Sequence, residues 1–216
     1  MNSASLFRSL AAATFALLPS LTFAGPTPLC DGKTFEGWEG DTAKTWRIVD
    51  GAFVGGSLEE KVPHNEFLAT KKKYHNFELT LKLKLLGSEG FVNGGVQFRS
   101  VHAEKPDYEM VGYQADMGDP DMWGSLYDES RRKKFLAKSD MEKLTPLLHK
   151  GEWNEYRIRC EGAHIQIWVN GLQTVDYTEE DGTIAAADGH IAVQVHGNRK
   201  TEAWYKDIVI TELPEK

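Results

Sequence analysis

The sequence predicts an all-β protein built as a two-sheet antiparallel sandwich, a concanavalin A-like jelly roll. Three observations lead to the sandwich. Apolar and polar residues alternate with period two along most of the chain, Gly-containing turn dipeptides separate the alternating runs, and helical periodicity is sparse. About ten short strands with turns between them indicate a two-sheet sandwich or jelly roll rather than βαβ units.

Taken in order, the first segment is not part of that sandwich. Arg8 supplies a positive n-region, Leu10 to Leu18 an apolar stretch too short to cross a bilayer, and Thr22-Phe23-Ala24 a small-x-small cleavage site. Residues 1–24 therefore read as a signal peptide and residues 25–216 as a single domain, delivered to the periplasm or secreted. No later run is apolar enough for membrane insertion after cleavage.

Within the domain, "WRIVDGAFVG" reads as strand, turn and strand about Asp50-Gly51. "FELTLKLKL" is the clearest strand: Phe77, Leu79, Leu81, Leu83 and Leu85 fall on one face, and Glu78, Thr80, Lys82 and Lys84 on a solvated one. "GGVQFRSV", "EMVGYQADM" and "GSLYD" follow, with Asp119, Pro120 and Asp121 making a turn. The stretch from Ser130 to Leu144 supports a helical turn or two and has no apolar stripe. "NEYRIRCEG", "HIQIWVNG", "QTVDYTE", "HIAVQVHG" and "AWYKDIVITEL" complete the strands, and Asn170-Gly171 is the strongest hairpin signal.

Composition narrows the function. The 216 residues carry a formal charge of −7, which becomes about −8 when Arg8 leaves with the leader. Such a balance opposes nucleic acid and anionic lipid as partners. Cys30 and Cys160 are the only cysteines, so they form either one bridge or two thiols, not a disulfide scaffold.

Strand phase then gathers polar residues on one surface. Gln97 and Arg99 oppose Val96 and Phe98; Gln114 and Asp116 oppose Tyr113, Ala115 and Met117; Gln194 and His196 oppose Val193 and Val195. Trp123, Ser125 and Tyr127 share a further face. Singly, each glutamine suits solvent or a cross-strand partner, Trp123 suits a core, and Arg99 with Asp116 suits an ion pair. Together, short directional hydrogen bonders beside aromatic rings suit a sugar, whose ring face stacks while its hydroxyls are bonded. His64 and Glu66 stand two apart and would share one side of an extended segment.

Several catalytic patterns are absent. The chain has no Gly-x-Ser-x-Gly elbow, phosphate-binding Gly-rich loop or His-Glu-x-x-His motif. The paired acids of sandwich-fold endoglycanases are not visible either, because Glu109 is followed by Met110, Val111 and Gly112.

"LCDGKTFEGWEG", "NEFLATKKKYHNFELTLKLKL", "NGGVQFRS", "GYQAD", "WGSLYDESRR", "GEWNEYRIRCEG" and "GHIAVQVHG" occur in that order. In this it resembles the 3-keto-disaccharide hydrolase domain family over nearly all of residues 25–216. The resemblance implies a concanavalin-like jelly roll and cleavage of glycosides already oxidised to a ketone at C3. Such a ketone acidifies the C2 proton, so a base and an oxyanion partner suffice for β-elimination of the C1 aglycone, and water can then add back. Where many members carry Glu-x-Gln, this chain has Gly112-Tyr113-Gln114.

On that footing Asp116 or His196 is the base, with Glu66 third, and Arg99 polarises the ketone or holds the enolate. Gln97, Gln114, Tyr127 and Gln194 bind hydroxyls, and Trp123 stacks. No cofactor is expected, although a divalent ion on Asp116, His196 and Glu66 is an alternative to Arg99. The partner is a small carbohydrate. Two other readings stand beside the enzyme: a non-catalytic carbohydrate-binding module of the same fold, and an interaction domain.

Overall fold

The computed structural model describes residues 25–87, 90–185 and 188–214, so the leader read in residues 1–24 lies outside it. The early strands are β1 (Thr27–Pro28), β2 (Trp38–Glu39), β3 (Trp46–Val49), β4 (Ala52–Ser57) and β5 (Glu66–Thr70). The middle ones are β6 (Phe77–Leu86), β7 (Asn93–His102), β8 (Met110–Gly118), β9 (Leu126–Glu129) and β10 (Phe135–Ala137). After one helical turn, α1 (Met141–Leu144), come β11 (Asn154–Glu161), β12 (His164–Val169), β13 (Leu172–Thr178), β14 (His190–Val195) and β15 (Thr201–Glu212).

They form two antiparallel sheets. The first runs β13-β12-β11-β6-β15-β4-β3, with β1 also on β15; the second runs β10-β9-β8-β7-β14-β5-β2. Alternation explains the layers. Phe77, Leu79, Leu81 and Leu83 of β6 and Tyr156, Ile158 and Cys160 of β11 meet Val96, Phe98, Tyr113, Ala115, Ile191 and Val193 in one buried cluster. On the opposite side of β6, Lys84 lies over the rings of Trp153 and Trp204.

Two core tyrosines of the first sheet reach across to the backbone of the second. Tyr205 hydroxyl donates to the Gln194 carbonyl (2.6 Å) and accepts from the Gly95 amide (3.1 Å). Tyr156 hydroxyl donates to the Asp116 carbonyl (2.9 Å) and accepts from the Gly124 amide (3.0 Å). Burial therefore makes these phenols braces, and it raises the pKa of both.

Three local features depart from the sequence reading. β5 has no alternation to find, because Phe67, Leu68, Ala69 and Thr70 are all buried. β10 lies inside the segment read as a possible helix, of which only Met141–Leu144 is α-helical. β9 begins at Leu126, since Met122 to Ser125 form a turn in which the Ser125 amide donates to the Met122 carbonyl (3.0 Å). Both cysteines are free thiols, and burial pushes that of Cys160 up to about 12.

At one edge a charged cluster ties the sheets together. Asp128 accepts from Arg131 (2.8 Å) and Arg132, and Arg132 also donates to Glu179 beyond β13 (2.5 and 3.2 Å). Tyr113 hydroxyl adds a bond to Glu179 (2.8 Å). Burial alone would raise the Glu179 pKa, but Arg132, the Asp181 amide and Tyr113 together lower it to about 2. Arg132→Ala removes the only cation on Glu179 among the described residues, leaving it Tyr113 and the Asp181 amide, while Asp128 keeps Arg131; the variant is expected to cost about 1–3 kcal/mol in urea unfolding at neutral pH. Because the Glu179 pKa is depressed, its contribution is present above the ordinary value and is lost as pH falls toward 2. The gap between wild type and variant should therefore narrow in acid.

Candidate functional site

The order β9-β8-β7-β14-β5 and its register assemble one polar surface on the outer side of the second sheet. Gln97 stands opposite Gln114, Gly95 opposite both Asp116 and Gln194, Gln114 opposite Tyr127, and Gly112 opposite Glu129. Period two gives these residues a common face. Gln97, Gln114, Asp116 and Gln194 are buried there, and Phe67, Ala69, Met110 and Ala192 form a separate small apolar cluster.

The buried amides form a directed chain. Ser100 Oγ donates to Gln97 Oε1 (2.7 Å), Gln97 Nε2 to Gln114 Oε1 (2.7 Å), and Gln114 Nε2 to Asp116 Oδ1 (3.4 Å). An ionised carboxylate only accepts, so Asp116 fixes the orientation of each amide behind it. Asn93 Nδ2 (2.7 Å) and the Met117 amide (3.0 Å) also donate to Oδ1, while no described group donates to Oδ2. One oxygen is thus held by three donors and the other by none among the described residues.

Two glycines make room for this chain. A Cβ on Gly95 would lie 2.8 Å from Gln114 Cγ and Cδ, and one on Gly112 would lie 2.3 Å from Ser100 Oγ. Burial raises the Asp116 pKa to about 7, against the lowering effect of Asn93, the Met117 amide and Gln114. Asp116 therefore exchanges its proton near neutrality.

Around Asp116 lie further titratable groups. Glu129 Oε2 accepts a long bond from Gln194 Nε2 (3.5 Å), and Gln194 Oε1 is buried without a partner. Burial first, then the charges of Glu109 and Asp116, push Glu129 up to about 7. Glu109 is raised by burial as well, and takes a bond from Asn65 (3.4 Å). Tyr127 hydroxyl has no hydrogen bond among the described residues. Its pKa is raised by burial and by Glu129, Asp116 and Asp128.

His196 continues the phase of Gln194. Its amide donates to the Asn93 carbonyl (3.1 Å), its ring lies edge-on to Phe91, and burial lowers its pKa. Nδ1 lies 3.0 Å from the Gly197 carbonyl, which can only accept. Nδ1 therefore carries the proton, and Nε2 is a bare acceptor.

The structure thus brings Gln97, Gln114, Asp116, Tyr127, Gln194 and His196 to one region, and it sends three expected members elsewhere. Arg99 does not share the face of Gln97: its φ is 47° and the β7/β8 register shifts between Phe98 and Val101. Its guanidinium instead donates to the His75 carbonyl (2.9 Å), the Gly162 carbonyl (2.6 Å) and Asn76 Oδ1 (3.0 Å). The anticipated ion pair with Asp116 is not formed. Trp123 belongs to the core, its Nε1 bonded to Asp119 (3.0 Å), because the Met122–Ser125 turn resets the strand phase before Tyr127.

Glu66, which pairs with His64 (3.4 Å), lines a separate pocket of about 280 Å³ together with Glu39, Asp41, His102 and Tyr108. Burial raises its pKa. The three proposed ligands Asp116, His196 and Glu66 are not brought together, and no cluster of three metal-ligating side chains occurs among the described residues. A larger groove of about 480 Å³ lies on the outer face of the first sheet, but Arg157 already covers its Trp168 ring at 3.7 Å. Glu129 went unread in the sequence. Carrying the phase of Tyr127 two residues further would have found it.

Comparisons with known proteins agree with this architecture. A candidate glycosyl hydrolase from Parabacteroides distasonis superposes with a TM-score of 0.64 at 22% identity, over 88% of this chain and 94% of that one. The carbohydrate-binding module CBM66 of Bacillus subtilis gives 0.62 at 14% identity, over 82% and 96%. The laminarinase catalytic domain of Thermotoga maritima gives 0.60 at 10%, over 90% and 99%. These likenesses establish the jelly-roll fold. No curated protein matches the sequence. The profile of one family matches residues 25–211, and the chain accordingly belongs to the 3-keto-α-glucoside-1,2-lyase-like domain family.

Proposed function

We propose that the protein is an exported enzyme, periplasmic or secreted, that cleaves 3-keto-glycosides by removing the C2 proton and eliminating the C1 aglycone. The observation that carries this reading is the Asp116 carboxyl. It is buried, held at Oδ1 by three donors, without a donor on Oδ2 among the described residues, and poised near neutrality. A base of that kind matches a carbon acid activated by a neighbouring ketone. Family membership supports the substrate class.

Roles follow from position. Asp116 Oδ2 takes the C2 proton. Tyr127, with its unengaged hydroxyl, replaces Arg99 as donor to the C3 oxygen, where negative charge develops. Gln194 Oε1 and His196 Nε2 accept from sugar hydroxyls. Gln97 and Gln114 act behind Asp116 rather than on the sugar, because their groups bond one another and the carboxylate. The same polar face also suits a carbohydrate-binding module, since Tyr127 and His196 would serve binding alone.

Asp116→Asn should lower kcat/KM on a 3-keto-disaccharide by about 100-fold or more. Wild type should leave the unoxidised parent sugar intact. Release of free sugar measures both; saturable binding without cleavage of the keto form would move the assignment to the binding module.

The same carboxyl makes a pH prediction. Its folded pKa of about 7 lies above the ordinary aspartate value of about 4. The folded protein therefore keeps a proton that the unfolded chain releases across that interval. This contribution to stability is complete below about pH 4 and is lost as pH rises through about 7. Wild type should lose thermal stability over that range relative to Asp116→Asn, while its activity rises; parallel melting curves and a kcat/KM profile would show both.

A further inference from the structure

We propose that Glu129 is the second catalytic carboxyl group, donating a proton to the departing glycosidic oxygen while Asp116 serves as base. The assignment rests on the elimination reading above. It begins with geometry: Glu129 lies opposite Gly112, on the same face as Gln114, Asp116 and Tyr127. Gln194 reaches it across the strands that carry Gln97 and Gln114, so Gln194 touches Glu129 with its amide and leaves Oε1 unpartnered in the same region. The contact places Gln194 and Glu129 in one polar row with Gln97 and Gln114.

The two carboxyls are held differently, and the difference separates their roles. Asp116 Oδ1 accepts three hydrogen bonds, an arrangement that favours the ionised form. Glu129 receives a long side-chain bond from the neutral Gln194 amide (3.5 Å) and one from the Ser130 backbone amide, two against the three on Asp116, and makes no ion pair among the described residues. Glu109 and Asp116 both set negative charge against it. Two acids that share a site are not readily ionised together, so Asp116 loses the proton and Glu129 keeps one.

The chemistry balances on these groups alone. Asp116 Oδ2 forms a bond to the C2 proton as the C2–H bond breaks, and the electron pair passes to the C3 oxygen as enolate. The pair returns to form the C1–C2 double bond, the C3 carbonyl is restored, and the C1–O bond breaks onto the aglycone oxygen. That oxygen takes the Glu129 proton. In hydration a water gives its proton to Glu129 and its hydroxide to C1, and Asp116 returns its proton to C2. Both carboxyls regain their starting states, and nothing is oxidised or reduced.

Leaving-group dependence tests the assignment. A disaccharide alkoxide requires a proton, whereas 4-nitrophenolate departs without one. Glu129→Gln, nearly isosteric, should lose about 100-fold or more in kcat/KM on a 3-keto-disaccharide. On 4-nitrophenyl 3-keto-glucoside the loss should be several-fold at most, while Asp116→Asn loses heavily on both. Equal losses on the two substrates, or no loss on either, would overturn the role of Glu129. Should the variant fail to fold, wild-type rates across aryl 3-keto-glucosides carry the test: a shallow dependence on leaving-group acidity supports a proton donor, and a steep one overturns it. Failure of wild type to cleave either substrate would instead remove the underlying elimination reading.

Discussion

Burying Asp116 on a sheet face is the constraint around which the second sheet is organised. A lone carboxylate cannot be taken out of water without donors, and this one receives them from Asn93, Gln114 and the Met117 amide. Gln114 must then be satisfied in turn, which requires Gln97, which requires Ser100. The two glycines at 95 and 112 follow from the same need, because a methyl at either position would occupy the space of the chain. Four side chains and two missing ones thus trace back to a single acidic oxygen.

The first sheet serves this arrangement without contributing to its surface. Tyr205 and Tyr156 bond the backbone at Gly95, Gln194 and Asp116 from the core side. Their hydroxyls prevent the strands from sliding, since a shift by one residue would turn every amide to the wrong face. The Asp128, Arg132 and Glu179 cluster adds a second tie at the edge. Precision on one face is therefore maintained by polar contacts on the other.

Most of the sandwich was legible because alternation is a direct record of one buried and one open face. β6 shows this in Phe77 to Leu85. The record fails where both faces are covered, as in β5, and where the chain breaks phase. A single left-handed residue, Arg99, carries its guanidinium away from Gln97, and the turn at Met122–Ser125 separates Trp123 from Tyr127. Neither break has a clear signature: Arg99 is not a glycine, and the Gly124 turn lies inside an aromatic run. Gln114 and Asp116 were legible as neighbours on one face, but their order along a hydrogen-bond chain depends on cross-strand register, which a single sequence does not display. Glu129 is legible in phase, two residues beyond Tyr127 at the last position of β9.

The oriented amides have one more consequence. Each amide in the row gives with its nitrogen and receives with its oxygen in the same sense, so the row possesses a beginning at Ser100 and an end at Asp116. Neutralising the end weakens the pull on every link before it. Ser100 stands at the far end of that row with the Phe98 and Tyr113 carbonyls also within reach of its hydroxyl, so the buried end of the row has other acceptors at hand when the carboxyl end takes up a proton.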